Sequence, residues 1–405
     1  MKNKKPIIRI NNYFSEWKEF KMIDLVTPVV REVLKPSSSY KKLSVRSHAK
    51  GTFHQVVEDP NTVAMDKLYL VHENDLIVNI TFAWEHAIAI AEEKDHNLLV
   101  SHRFPTFLIN KSDINFIKYL VSLNSFKNRL DLISPGGAGR NRVLNKKDFN
   151  NLKLFVPVEM EEQKKIGIFF TNFDETIALH QQELDALKQT KQGFLQKMFP
   201  KDGETVPEVR FPNFSDEWAL RKLSDITDLI TKGTTPKNMS NEGLINFVKV
   251  ENINPFSSQI ISYSKISLEE HNGNLKRSQL KKNDILFSIA GTLGRTAIVK
   301  EKDLPANTNQ ALAILRMKNT NVDFITTYLK GKLVKDYIRK NPTIGAQPNL
   351  SLQQLKDLHV FLPSNREQIK IGEFFKQMDE VINLKQQELE ALKQTKKGFL
   401  QKMFV

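Results

Sequence analysis

The chain has 405 residues, enough for two or three domains that each bury a core. Sixty Lys and Arg against 46 Asp and Glu give a formal charge of +14, which favours nucleic acid or an acidic protein surface as the partner. The absence of Cys excludes disulfides and thiolate zinc sites, and no apolar run reaches the roughly 18 residues of a membrane helix, so we expect a cytoplasmic protein that contacts no membrane.

The first predicted unit, residues 1–155, is a mixed α+β domain. Short apolar runs bounded by Asn, Asp, Gly and Pro predict strands at 76–82, 98–100 and 107–109. Helical periodicity predicts a helix over 114–130. Charge and loop context make the basic residues of its loops candidate DNA ligands, namely Arg46, His48, Lys50, Arg103, Arg140 and Arg142.

Residues 156–200 are predicted to form one long helix. An acidic turn at Glu161 and Glu162 is followed by good helix formers without Pro as far as Gly193. Apolar residues alternate at spacings of three and four, which is typical of a coiled-coil seam. The seam positions taken for helix pairing are Phe173, Ile177, Leu184, Leu187 and Phe194.

A second α+β domain is predicted over residues 201–361, with strands at 247–250, 285–290 and 311–315 and a helix at 322–340. Its Gly-rich loops carry basic and amide residues. Arg can make two hydrogen bonds to guanine, and Asn or Gln two to adenine, so such loops suit base recognition, although solvated surface turns are an alternative. The candidates are Lys232, Thr234, Lys237, Arg277, Arg295, Gln347 and Asn349.

Residues 362–405 repeat the first long helix at an offset of 205, and 27 of the 37 positions from Gln163 to Phe199 are identical to those from Gln368 to Phe404. The repeated seam positions are Met378, Ile382, Leu389, Leu392 and Phe399, and polar residues interrupt both seams at His180, Lys191, Lys385 and Lys396. Because 37 helical residues span roughly 55 Å, each helix needs a partner along its length. We expect the two helices to pair as an antiparallel coiled coil, the alternative being amphipathic helices on separate cores.

The front of the chain is also repeated. Residues 5–25 align with 206–226 at an offset of 201, with Arg9 matching Arg210 and Trp17 matching Trp218. The chain is therefore a tandem duplication with an expected pseudo-two-fold arrangement: recognition domain, helix, recognition domain, helix.

No catalytic motif stands out. The sequence has no phosphate-binding G-x-x-x-x-G-K-[ST] loop, no G-x-G-x-x-G after a strand and no H-E-x-x-H. The run from Glu32 to Lys35 fits only the weakest form of a nuclease pattern. We predict neither a catalytic nor a metal site and expect a chain that is not an enzyme by itself; a self-sufficient metal-dependent DNA endonuclease and an interaction scaffold unrelated to DNA are the alternatives.

The order of domains and helices, with the segments Gly233-Thr234-Thr235-Pro236, Gly291-Thr292-Leu293-Gly294 and Gln347-Pro348-Asn349, resembles the specificity subunit (HsdS) of type I restriction-modification systems. The resemblance covers the whole chain. The first domain departs from it, because it lacks the Gly-Thr-Thr-Pro segment and has Ala138-Gly139-Arg140-Asn141 in place of Gln347-Pro348-Asn349.

This resemblance implies that each domain recognises one half of a bipartite, asymmetric DNA target, while the paired helices fix the unread spacer and dock modification subunits. It implies two modification subunits that use S-adenosylmethionine to methylate adenine, and two motor-nuclease subunits that use ATP and Mg²⁺. The chain itself would bind double-stranded DNA and no cofactor.

Overall fold

A computed structural model describes residues 5–10, 13–136, 142–237, 243–255, 257–341 and 349–405. Contacts divide the chain into two compact units. The first unit comprises Met1–Leu179 with Leu389–Val405, and the second unit comprises His180–Glu388. Each unit therefore contains one predicted recognition domain and part of both long helices.

The first unit mixes short strands with short helices. Its strands are β1 (Lys18–Lys21), β2 (Thr27–Val29), β3 (Glu32–Leu34), β4 (Tyr40–Val45), β5 (Thr52–Val57), β6 (Lys67–Val71), β7 (Asp75–Val78), β8 (Ile88–Ile90), β9 (Leu98–Val100), β10 (Thr106–Leu108) and β11 (Lys153–Val156). Its short helices are α1 (Met22–Leu25), α2 (Ile114–Ser122), α3 (Asn124–Leu132) and α4 (Lys146–Asn150), and α5 (Met160–Lys197) begins here.

Two sheets and one strand pair organise the first unit. β1 pairs with β11, a four-stranded sheet has the order β2-β10-β7-β8, and a five-stranded sheet has the order β3-β6-β9-β4-β5. Apolar residues of the two sheets share one core, to which Leu43 and Val71 contribute from the five-stranded sheet and Ile77 from the four-stranded sheet. A second core forms around Trp17 and Phe116 and includes apolar residues of both helices and strands.

The second unit has the same kinds of element. Its strands are β12 (Ala219–Lys222), β13 (Thr227–Lys232), β14 (Ile245–Val248), β15 (Ser264–Ile266), β16 (Ile285–Ser288), β17 (Thr296–Ile298), β18 (Ala306–Thr308), β19 (Leu312–Met317) and β20 (His359–Leu362). Its helices are α6 (Leu268–Asn272), α7 (Val322–Leu329), α8 (Lys332–Lys340) and α9 (Leu352–Lys356), and α10 (Asn365–Met403) begins here. The sheets are β12-β20, β13-β19-β16-β17 and β15-β14-β18.

The predicted helices within the recognition domains are each divided in two. Leu123 adopts an extended conformation, with φ −69° and ψ 145°, and separates α2 from α3. Gly331, with φ −68° and ψ 170°, does the same between α7 and α8. A single extended residue interrupts the helical hydrogen bonds but leaves the spacing of the apolar residues unchanged. The apolar spacing in the sequence therefore could not reveal that each helix is divided.

The two long helices have 38 and 39 residues, as the sequence predicts. The domain limits predicted after residues 155 and 361 fall inside β11 and β20. Since β11 pairs with β1 and β20 with β12, these strands belong with the recognition domains, and the long helices begin after them, at Met160 and Asn365.

Ring contacts show that the long helices run antiparallel in each unit. In the first unit, the Phe399 ring of α10 lies 5.2 Å from the Phe169 ring and 5.8 Å from the Phe173 ring of α5, centroid to centroid. In the second unit, the Phe194 ring of α5 lies 5.1 Å from the Phe374 ring of α10. The end of each helix thus packs on the beginning of the other, which confirms the predicted pairing.

The predicted seam residues lie in the helix pair. Leu184, Ile382 and Leu389 are buried. The other seven positions are half-buried: Phe173, Ile177, Leu187, Phe194, Met378, Leu392 and Phe399.

Polar seam residues form ion pairs that recur in both units. Lys396 pairs with Asp174 in the first unit, and Lys191 pairs with Asp379 at the equivalent positions of the second. Likewise Lys385 lies 3.2 Å from Glu183, and His180 lies 3.8 Å from Glu388. Polar pairs of this kind fix the register of a helix pair, because a shifted register would leave charges unpaired.

The beginning of each long helix is joined by an ion pair to the first residues of the same repeat. Arg9 donates two hydrogen bonds of 2.7 Å to Glu162, and Arg210 donates bonds of 2.6 and 2.8 Å to Glu367. Both carboxylates are buried. The hydrogen bond to Glu162 raises the pKa of Arg9, so the guanidinium stays charged.

Candidate nucleic-acid interface

Three predicted ligands of the first domain lie in the turn that joins β4 to β5. Arg46, His48 and Lys50 are exposed there, and the Arg46 guanidinium lies 4.9 Å above the centre of the Phe53 ring. The turn is held on both sides: the Arg46 N–H donates to the Gly51 carbonyl at 2.9 Å, and the His48 N–H to the Glu85 carbonyl at 2.8 Å. His48 has a φ of 62° and Gly51 a φ of 79°. Three basic side chains therefore project from a turn of defined shape.

Arg103 is exposed between β9 and β10. Its carbonyl accepts a hydrogen bond of 3.0 Å from the Ile80 N–H, which holds this loop against the four-stranded sheet. Arg140 lies outside the described residues.

The Arg142 guanidinium makes several contacts within its own domain. Its guanidinium donates to the Ser134 carbonyl at 3.0 Å and to the Asp131 carbonyl at 2.8 Å, and it pairs with the Asp131 carboxylate at 2.7 Å. It also stacks 5.3 Å from the centre of the Trp84 ring. These contacts stabilise the carboxyl end of α3, because the last carbonyls of a helix need donors from elsewhere. DNA contact by Arg142 stays a prediction.

Four predicted ligands of the second domain come together on one surface. Lys232 ends β13, and the Thr234 hydroxyl accepts a hydrogen bond of 3.0 Å from the Arg277 guanidinium. The Lys237 N–H donates to Glu270 at 3.1 Å, which holds the loop on α6. Lys232, Lys237 and Arg277 are exposed. This surface, called the 232–277 surface, carries three cations.

The loop of the 232–277 surface requires a glycine at position 233, because the backbone of another segment lies very close to it. A Cβ there would lie 2.1 Å from the Asn309 carbonyl oxygen and 2.2 Å from that of Thr308. The Thr234 N–H donates to the same Thr308 carbonyl at 3.0 Å. Close backbone approach therefore fixes the position of Thr234.

Arg295 also makes contacts within its own unit. Its guanidinium is half-buried and donates to the carbonyls of Val250 at 3.2 Å and Ile253 at 3.4 Å. Its N–H donates to the Ser288 hydroxyl at 2.7 Å. The side chain thus joins two segments of the second unit, and base contact by Arg295 stays a prediction.

Of the last two predicted ligands, the structure describes one. Asn349 is exposed and forms an isolated β-bridge with Ala290. Gln347 lies outside the described residues.

The sequence analysis missed two residues of the hairpin β4–β5. Lys42 and Gln55 stand directly opposite each other on the two strands, on the face that also carries Ser44 and Phe53. The alternation of polar and apolar residues along β4, Lys42, Leu43, Ser44, Val45, could have shown this face.

Two buried carboxylates support the strands behind these loops. Asp75 accepts from Arg31 at 2.5 and 3.1 Å, and Asp284 accepts two bonds of 2.8 Å from Arg316. Each carboxylate follows an Asn with a φ of 68°, Asn74 or Asn283. The aligned Asn-Asp pairs of the two repeats were the sequence signal for these anchors.

The family described as "Type I restriction modification DNA specificity domain" matches residues 15–189 and 215–394. The chain belongs to this family. Two matched segments, one in each repeat, confirm both the resemblance and the duplication.

Relatives within the type I restriction family support the assignment. The chain is 24% identical over 268 residues to the type I restriction enzyme MjaVIII specificity subunit of Methanocaldococcus jannaschii, covering 64% of this chain and 62% of that relative. It is 26% identical over 231 residues to the type I restriction enzyme EcoBI specificity subunit of Escherichia coli, covering 52% and 48%. The alignments thus span about half to three-fifths of these relatives.

Solved structures of the same class share the fold. The S subunit of a type I restriction-modification system from M. genitalium aligns over 99% of both chains with a TM-score of 0.59 and 17% identity. The HsdS subunit from Thermoanaerobacter tengcongensis aligns over 96% of both chains with a TM-score of 0.50 and 17% identity.

Within the described parts of this family member, no helix is long and apolar enough to cross a membrane. The same parts hold no group of three or more His, Asp or Glu that could bind a metal ion.

Proposed function

We propose that this chain is the DNA sequence-specificity subunit of a type I restriction-modification complex, and that each recognition domain binds one half of a bipartite, asymmetric target. The duplication carries this proposal. Each unit contains exposed cations on a preformed loop, around Arg46 in the first and Arg277 in the second, and one antiparallel stretch of the helix pair. Phosphate neutralisation by such cations supplies most of the affinity of a DNA-binding protein.

The proposed recognition domains cover residues 1–155 and 201–361, and the proposed helical spacers cover 156–200 and 362–405. The helix pair would keep the two DNA contacts at a fixed separation and so set the unread spacer. The recurring Lys–Asp pairs of the seam support this role, since they oppose slippage of one helix along the other.

The partners in this proposal are double-stranded DNA, two modification subunits and two restriction subunits. Two equivalent docking surfaces are supported by exposed residues that are identical in both repeats, such as Gln182 with Gln387 and Gln189 with Gln394. Exposed positions have little effect on folding, so identity there favours a shared partner. S-adenosylmethionine, ATP and Mg²⁺ would be used by those partners.

Selection of DNA from a random duplex pool tests the proposal. The purified chain with its modification subunit should enrich two separated sequence blocks at one spacing, and binding should weaken steeply as salt rises. A single continuous block, or no enrichment, would contradict a bipartite role. Cleavage of DNA by the chain alone with Mg²⁺ would instead support the self-sufficient endonuclease.

A further inference from the structure

The hairpin formed by β4 and β5 extends from the edge of the five-stranded sheet. Its strands pair over six positions, from Tyr40 with Val57 to Val45 with Thr52. β5 is the last strand of the sheet, and β4 is in register with the neighbouring β9 at one pair, Lys42 with Leu99. The half of the hairpin nearest its turn thus extends past the paired position of β9 and continues as a two-stranded ribbon.

One face of this ribbon is anchored in the domain. Side chains alternate between the faces of a strand, and directly opposed residues of an antiparallel pair share a face. Leu43 and Val45 lie on the inner face and belong to the buried core with Val71 and Val100. Burial of the inner face fixes the orientation of the opposite one.

The opposite face carries side chains suited to DNA. We call it the outer hairpin face, formed by Lys42, Ser44, Arg46, Phe53 and Gln55. Lys42 is opposite Gln55, and Ser44 is opposite Phe53, whose ring lies under the Arg46 guanidinium. Gln55 and Arg46 are exposed. A carboxamide therefore stands opposite one cation, Lys42, and a second cation, Arg46, lies on the same face nearer the turn.

The major groove of B-form DNA is about 12 Å wide and admits a two-stranded ribbon, and a Gln carboxamide can make two hydrogen bonds to adenine there. We propose that the outer hairpin face enters the major groove of the first half-site, with Gln55 as a specificity-determining residue for an adenine and with Lys42 and Arg46 neutralising phosphates beside it. This inference rests on the proposed function and assigns one base contact within it.

The two units differ at this element. In the second unit, β14 pairs antiparallel with β15 and parallel with β18, which repeats the arrangement of β4 with β5 and β9. The β14–β15 pair covers three positions, from Ile245 with Ile266 to Phe247 with Ser264, whereas the β4–β5 pair covers six. The exposed cations named in the second unit lie on the 232–277 surface. Surfaces of different shape and charge would then contact the two half-sites, which accounts for an asymmetric target recognised by a duplicated chain.

The test compares neighbouring residues on opposite faces, using the full chain with its modification subunit and the same pool selection. Gln55→Ala should lower the base preference at one position of one half-site by at least about five-fold, with the other half-site unchanged. Gln55→Glu should change the preferred base at that position, because a carboxylate accepts from cytosine. Lys42→Ala should weaken binding to all sequences about equally, and Lys41→Ala, on the inner face, should weaken it less.

The outcomes separate this inference from the proposed function. If wild-type protein enriches two blocks and both Gln55 variants keep every preference, the hairpin assignment is wrong while the function stands. If wild-type protein enriches no bipartite sequence, the function itself fails. Loss of preference at one position with Gln55→Ala, together with an unchanged melting temperature, supports the assignment.

Discussion

Individual arginines show what residue identity can and cannot predict. Arg46 and Arg277 were predicted from charge and loop context, and both are exposed in the structure. Arg142 and Arg295 fitted the same criteria, but their guanidinium groups bind backbone carbonyls of their own unit. The sequence specifies a cation on a turn, whereas the direction of its side chain depends on which carbonyls the tertiary fold leaves without donors.

Arg295→Ala tests this distinction. The Ile253 carbonyl would lose the Arg295 donor, and the Val250 carbonyl would keep only the Ile253 N–H, so we expect the variant to be less stable by about 1–3 kcal/mol. Its base preferences in pool selection should match those of the wild type. Arg277→Ala, at an exposed position, should show the reverse: nearly unchanged melting and weaker DNA binding. A change of base preference with Arg295→Ala at unchanged stability would restore the original prediction.

A single largely buried residue, Lys330, is expected to make the stability of the fold depend on pH. Burial lowers the pKa of Lys330 to about 8, and Asp379, 3.4 Å away and also paired with Lys191, opposes that change. Below pH 8 the folded and unfolded chains both hold the proton, so the cost of burying the charge is fully present. Between pH 8 and the ordinary value of 10.5 the folded chain releases it first, and stability rises with pH.

Replacement by Met removes this dependence. The drop in pKa corresponds to roughly 3 kcal/mol, and because 15% of the side chain stays exposed we expect about 2 kcal/mol. Denaturant unfolding at pH 7.5 and pH 10 should show wild type gaining that amount relative to Lys330→Met. Lys332→Met, at an exposed position, serves as the control. An equal change with pH in wild type and Lys330→Met would contradict the account.

At the scale of elements, the long helices were the most predictable feature. The apolar spacing and the lack of Pro predict long helices that need a partner, and the near-identical repetition supplies one. The structure contains both long helices. Strand β9 was predicted at its observed limits. The hairpin β4–β5 was missed because its polar outer face does not form an apolar run, and its rigidity comes from core contacts of Leu43 and Val45.

Glycines of the long helices give a matched test of helix packing. A Cβ at Gly372 would lie 2.6 Å from the Asn321 side-chain oxygen and 2.9 Å from the Phe324 nitrogen, whereas a Cβ at Gly193 would meet nothing within 4 Å. Asn321 caps α7 through a 2.8 Å bond from Phe324, so Gly372→Ala should disturb that cap.

We expect Gly372→Ala to destabilise the second unit by about 1–2 kcal/mol and Gly193→Ala to stabilise the chain by about 0.5–1 kcal/mol, through higher helix propensity. Chemical denaturation of both variants measures the difference. Equal effects of the two substitutions would show that the close approach at Gly372 has no energetic consequence.

At the scale of the whole molecule, the duplication separates a common frame from two different recognition elements. The frame recurs in each unit as the Arg–Glu pair at the helix start, the Lys–Asp pair in the seam and the buried carboxylate beneath the sheet. The recognition elements are the β4–β5 ribbon in the first unit and the 232–277 surface in the second. Repetition of a sequence reveals the frame, whereas the diverged elements required the structure.

A map of methylated adenines tests the central claim most directly, in cells that carry this chain with its modification partner and in cells from which the chain is deleted. The account predicts one split, asymmetric motif with a methylated adenine in each half at a fixed spacing, which disappears on deletion. A map that is unchanged by deletion, or a motif that forms a single continuous block, would contradict it.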